Sequence, residues 1–155
     1  MRNRKTLDPA LVESMSENIL NLLPFTHNRL LCAPIIHREY GLSPTQVRIL
    51  SMLNDDSAIP IMTIADRMRI AKPNIIPLVD RLVKERLVDR VRGSEDRRIV
   101  NIVILGAGRD KLHAIHATIN EQCQVWVQNI SSSDISELKE SLESLARILS
   151  PDQMN

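Results

Sequence analysis

The sequence predicts a mainly α fold carrying a small β-hairpin (α+β). Three observations lead there. Hydrophobic residues make up 43% of the 155 residues but aromatics only 2%, so the core is aliphatic, which favours packed helices over sandwiched sheets. Apolar residues recur at helical spacing over most of the chain. One stretch breaks that rhythm: two β-rich runs, Leu87 to Val91 and Ile99 to Ile104, are joined by R-G-S-E-D-R-R, the pattern of a hairpin with a loop longer than two residues. The length fits one domain, or one domain with appended helices.

Taken in order, Asp8-Pro9 reads as an N-cap followed by proline at the first helical position. Leu11, Met15, Ile19 and Leu22 then recur at helical spacing. Pro24 and Pro34 should each kink or break the helix, because proline lacks an N–H and clashes with the preceding turn. The first 38 residues therefore read as one bent helix or two to three short ones. Ser43-Pro44-Thr45-Gln46 is a second start, with Ser43 as cap and Gln46 completing a capping box. That helix should reach about Asn54, followed by a short extended piece, Ala58-Ile59-Pro60. A short helix is expected from Thr63 to Met68, a tight connection over Arg69 to Lys72, and a helix from Pro73 to about Arg86 with Ile75, Leu78, Val79, Leu82 and Val83 on its apolar face. After the hairpin, a long helix should run from the Gly106–Gly108 region to about Ile130. Ser131 to Asp134 breaks it, and Ile135, Leu138, Leu142, Leu145 and Leu149 form an a/d seam over two heptads. Such a seam needs a partner, and a bundle between two copies supplies one.

A short helix, a turn of a few residues, a second helix and then a hairpin is the order of a winged helix-turn-helix. The second helix buries its aliphatic stripe and leaves the other face free for a major groove, with the hairpin tip beside it. Net charge is only +1, but it is unevenly spread. From Met62 to Val100 ten basic residues face six acidic ones, whereas after Ser131 two face five. Positive charge gathers where a phosphate backbone would lie. Glu95, Asp96, Arg97 and Arg98 share the hairpin tip, where no packing need calls for them.

The runs L-S-P-T-Q-V-R-I-L, T-I-A-D-R-M-R-I, L-V-D-R-L-V-K-E-R-L-V-D-R-V and E-D-R-R-I-V-N-I-V-I-L-G-A-G-R, between Leu42 and Leu112, resemble the multiple-antibiotic-resistance regulator (MarR) family of bacterial winged-helix repressors. Asp96 and Arg98, followed by an apolar strand and Gly108-Arg109, carry the most specific part of the likeness. The resemblance implies a homodimer held by N- and C-terminal helices, with residues 1–40 and 108–150 as the dimerisation region and residues 41–107 as the winged DNA-binding domain. It implies double-stranded DNA with a pseudo-palindromic operator as partner, and release by a small-molecule effector. Asp96 would brace the wing by pairing with an arginine, and Arg98 or Arg97 would enter the minor groove. The expected DNA-binding residues are Lys72, Asn74, Ile76, Arg81, Arg92, Ser94, Asp96, Arg97 and Arg98. Leu23, His27, Leu31 and His113 are the candidates for lining an effector pocket. The chain departs from the family where Pro77 replaces a base-reaching arginine, where Arg69 and Arg86 stand at common glycine positions, and where Leu105 replaces a capping threonine.

Other classes find less support. No Gly-rich phosphate loop, H-E-x-x-H or nucleophile motif occurs, so no enzyme is expected. Cys32 and Cys123 fit no metal spacing, and Val47 and Arg48 occupy positions used by metal-sensing relatives, so no metal or cofactor is expected. His113 and His116, at i and i+3, together with Cys32, keep a metal- or redox-sensing regulator as the first rival. A winged module for protein–protein contact, kept open by Pro77, is the second. With no signal peptide and no run of about 18 apolar residues, a cytoplasmic protein without a membrane partner is expected.

Overall fold

The computed structural model describes residues 8–56, 58–93 and 99–149. Helix α1 (Pro9–Phe25) starts on the Asp8 cap, whose carboxylate accepts from the Ala10 N–H at 3.0 Å. Pro24 does not end it sharply. The helix passes into a π-helical turn, Thr26–Leu30, closed by Leu31 N–H donating to the Thr26 carbonyl at 2.9 Å. Cys32 then takes a left-handed conformation (φ 47°), and α2 (Ala33–Tyr40) opens with Pro34 in its first turn. Proline thus widens one helix and starts the next.

Helix α3 (Pro44–Asp55) carries the expected capping box: the Gln46 N–H donates to Ser43 Oγ, and the Ser43 N–H donates to Gln46 Oε1 at 3.0 Å. Gln46 is also buried, and its Nε2 reaches the Leu78 carbonyl at 3.4 Å. One side chain therefore caps α3 and ties it to the helix that carries Leu78. The extended piece forms a strand, β1 (Ile59–Pro60), and α4 (Ile61–Met68) follows it directly. Helix α5 (Lys72–Lys84) is followed by β2 (Val88–Arg92) and β3 (Val100–Ile104). The sheet has three strands in the order β1-β3-β2, all antiparallel, with Val88 opposite Ile104, Arg92 opposite Val100 and Ile59 opposite Ile102. Two strands were expected; pairing with β3 recruits the third.

The core is aliphatic, with Leu42, Ile49, Ile64, Ile75, Leu82 and Ile102 fully buried. Helix α6 (Gly106–Val127) seals it with Leu112 and Ile115. Gly108 is required at that seal: a Cβ there would lie 2.2 Å from the Leu87 carbonyl oxygen. Leu105 precedes α6 without a side-chain cap. Helix α7 (Ser132–Ile148) is capped by Ser131 Oγ, which accepts from the Asp134 N–H at 3.2 Å.

Helices α1 and α7 bury no residue in this chain. Leu11, Met15, Ile19, Leu22 and Phe25 of α1 are each more than half exposed, and Leu142, Leu145 and Leu149 of the seam are exposed too. The seam is therefore not an internal core of the single chain.

Candidate nucleic-acid interface

The order α4, turn, α5, hairpin puts one helix on open display. Ile75, Val79 and Leu82 fix α5 to the core. At 100° per residue this leaves Pro73, Pro77 and Lys84 along the middle of the outer face, with Asn74 and Arg81 on one flank. The turn between α4 and α5 hinges on Arg69, left-handed at φ 53°, whose N–H donates to the Asp66 carbonyl at 3.1 Å. After α5 the chain turns again on Arg86, at φ 55°. Both sites are the ones expected to hold glycine. A non-glycine residue pays roughly 1 kcal/mol or more for this conformation, and in return each turn carries an exposed cation beside α5.

The expected residues divide into three groups. Lys72, the first residue of α5, and Asn74 are exposed, and Ile76 is half-buried at the edge of the open face. No side chain caps the start of α5, where Ala71 is the N-cap. Arg92 ends β2 and is exposed. Arg81 is exposed but committed: its Nη2 donates to the Gly41 carbonyl at 2.6 Å, and its Nε pairs with Glu85 at 3.1 Å. Ser94, Asp96, Arg97 and Arg98 lie outside the described residues, and so does the ion pair expected of Asp96. Gly93 N–H donates to the Ile99 carbonyl at 2.9 Å and closes the hairpin just below that tip.

Sequence reasoning missed how the helix is braced. Asp80 pairs with Arg90 of β2, linking α5 to the hairpin. Glu85 holds Arg81 on one oxygen and Lys111 of α6 on the other, the latter at 3.5 Å, while Lys111 also donates to the Tyr40 carbonyl at 3.3 Å. The Tyr40 hydroxyl meets Thr118 Oγ1 at 2.7 Å. Exposed pairs of this kind stabilise little singly, but together they fix the angle of α5 against α6. Spacing along the sequence gave no signal for bonds that span 10 to 78 residues.

The four effector-pocket candidates, Leu23, His27, Leu31 and His113, are all exposed in the single chain. An apolar groove of about 420 Å³ lies between the π-helical turn, α6 and α7, lined by Leu30, Cys123, Trp126, Ile135, Leu138 and Leu142. Cys32 is buried, and its thiol is pushed above its usual pKa by that burial and then by Cys123. A thiol so disposed is a poor nucleophile, which runs against the redox rival. Among the described residues no three of His, Cys, Asp and Glu come together, and no helix is long and apolar enough to cross a membrane.

A short helix, a tight turn, a displayed second helix and an antiparallel hairpin define a winged helix-turn-helix protein. Solved structures share the whole architecture. The transcriptional regulator BldR from Sulfolobus solfataricus superposes with TM-score 0.71 at 20% identity, over 92% of this chain and 100% of that one. Wild-type MarR from E. coli does so with TM-score 0.68 at 15% identity, over 92% and 98%. Residues 42–100 match the model of the MarR family. Similar curated proteins include the transcriptional repressor MdtR of Bacillus subtilis, 26% identical over 79 residues, a match spanning 51% of this chain and 51% of that protein. The transcriptional regulator FarR of Neisseria gonorrhoeae is 24% identical over 115 residues, 74% of this chain and 78% of that one. These relatives are named as regulators of transcription, not as enzymes.

Proposed function

We propose that this protein is a dimeric, sequence-specific DNA-binding transcriptional regulator, a repressor released by a small effector. The observation that carries the reading is the open face of α5, flanked by exposed cations at both of its turns and by the base of the hairpin. Helix α5 enters the major groove, where an α-helix fits. Lys72, at the uncapped helix start, meets a phosphate, as do Arg69, Arg86 and Arg92. Arg98, or Arg97, reaches the minor groove from the wing, which Asp96 braces by pairing with an arginine, and Ser94 adds a further DNA contact.

The apolar surfaces of α1 and α7 supply the second half of the argument. Helices that bury nothing in their own chain need a partner, and a second copy provides the same surfaces in return. Residues 1–40 and 108–150 form that dimer region and residues 41–107 the DNA-binding domain. The dimer holds two copies of α5 about 34 Å apart, one turn of duplex, on a pseudo-palindromic operator. A small, rather apolar effector binding between the dimer helices and the winged domains, near Leu23, His27, Leu31 and His113, favours a different separation and releases the DNA. A protein acting on chromosomal DNA in a cell without a nucleus works in the cytoplasm.

Binding to mixed genomic fragments across a salt series tests the reading. The expected affinity falls steeply and linearly in log–log form as salt rises. Absent binding, or binding indifferent to salt, overturns it in favour of a protein-interaction module.

A further inference from the structure

We infer that the half-site read by α5 is built from A·T base pairs, with Asn74 hydrogen-bonded to an adenine and Pro77 and Ile76 lying against thymine methyl groups. This deepens the proposed DNA-binding function and depends on it.

The argument is one of elimination on a displayed surface. Guanine is read in the major groove chiefly by an arginine or lysine that donates to O6 and N7 together. Helix α5 carries one arginine, Arg81, and two of its five N–H groups hold it against its own protein: Nη2 donates to the Gly41 carbonyl at 2.6 Å and Nε to Glu85 at 3.1 Å. Swinging it out to a base would undo the bond that ties α5 to the end of α2 and would strip Glu85 of a partner. Lys72 and Lys84 stand at the two ends of the helix, in the position of clamps on the phosphate rows. Between them the outward side chains are Pro73, Asn74, Pro77, Arg81 and Asp80, the last paired with Arg90 of β2, with half-buried Ile76 at the edge.

Those side chains suit one kind of base pair. Asn74 is exposed in the first turn of α5, the part of a recognition helix that meets base edges. Its backbone is fixed by its N–H donating to the Ala71 carbonyl at 2.8 Å, which leaves the carboxamide as donor and acceptor for adenine N7 and N6. Pro73 and Pro77, four residues apart, present a rigid apolar ridge that offers no N–H to a guanine or cytosine edge. Apolar contact in the major groove has one specific target, the thymine C5-methyl. A G·C pair under this ridge would leave its polar groups buried without partners.

Selection from a fully randomised duplex pool, with full-length protein, tests this. The wild type is expected to yield paired half-sites about one helical turn apart, with A·T pairs at the positions under α5. Asn74→Ala is expected to lose the preference for adenine at one symmetric position in each half and to weaken binding roughly ten-fold or more. Pro77→Arg is expected to gain a guanine next to that position. Guanine or cytosine at the position that Asn74→Ala alters, or an unchanged consensus in Asn74→Ala, overturns the A·T reading while leaving DNA binding intact. A pool from which nothing is selected at low salt overturns both that reading and the DNA-binding function beneath it.

Discussion

Adding a single carbon at Gly108 should unfasten the winged domain from the long helix, whereas the same change two residues earlier should not. A Cβ on Gly108 meets the Leu87 carbonyl oxygen at 2.2 Å, Ile104 Cγ1 at 2.9 Å and the Leu87 carbonyl carbon at 3.1 Å. Leu87 cannot step back freely. Its carbonyl accepts from the Leu105 N–H at 2.9 Å, and its own N–H donates to the Leu82 carbonyl at 3.0 Å. Overpacking against a fixed wall costs about 1–3 kcal/mol, and loss of the Leu105 bond adds about 1 kcal/mol. The better helix propensity of alanine returns about 1 kcal/mol. The net loss of about 1–3 kcal/mol corresponds to a Tm lower by about 2–12 °C for a chain of this size. Gly106→Ala is the control: no atom lies within 4 Å of its Cβ, so it should be neutral or stabilising by about 0.4–1 kcal/mol. Thermal unfolding followed by far-ultraviolet circular dichroism, at one protein concentration, gives both values. A Gly108→Ala variant as stable as the wild type would refute the close approach of α6 to the α5–β2 turn.

Replacing Arg69 or Arg86 by glycine relieves left-handed backbone at φ 53° and 55°; after the extra chain entropy of glycine, each should gain up to about 1 kcal/mol in urea unfolding, yet bind DNA with a shallower salt dependence. Arg97→Ala combined with Arg98→Ala should weaken duplex binding at least ten-fold if the wing reads the minor groove; anisotropy titration showing unchanged affinity would remove the wing from the interface. Burial raises the Cys32 thiol, so the unfolded chain ionises at lower pH than the folded one. Stability is therefore fully present below the ordinary thiol pKa of 9.0 and declines as pH rises above it. Cys32→Ala should flatten that decline in urea titrations between pH 8 and 10, and alkylation should reach Cys123 before Cys32.

Local chemistry was what the sequence made legible. The start of α3 was readable because Ser43, Pro44 and Gln46 act within one turn, and the α7 start because Ser131 caps it from the adjacent residue. The hairpin stood out because its apolar runs are β-rich and its strands pair in register from Val88 to Ile104. The two-residue strand β1 was readable only as extended, since its identity as a strand comes from pairing with β3 about 40 residues away. Pro24 was expected to interrupt a helix; the backbone instead absorbed it by widening into a π-helical turn. In the site, Lys72, Asn74 and Arg92 are exposed where the sequence suggested. The engagement of Arg81 by Gly41, and of Asp80 by Arg90, was invisible because each bond joins elements brought together only by the fold.

Footprinting and stoichiometry on a selected duplex test the central claim most directly. Two chains should protect two symmetric half-sites with centres about 10–10.5 base pairs apart, and inserting five base pairs between the halves should abolish tight binding. One chain protecting one half-site, with affinity indifferent to the insertion, would contradict a paired winged-helix regulator.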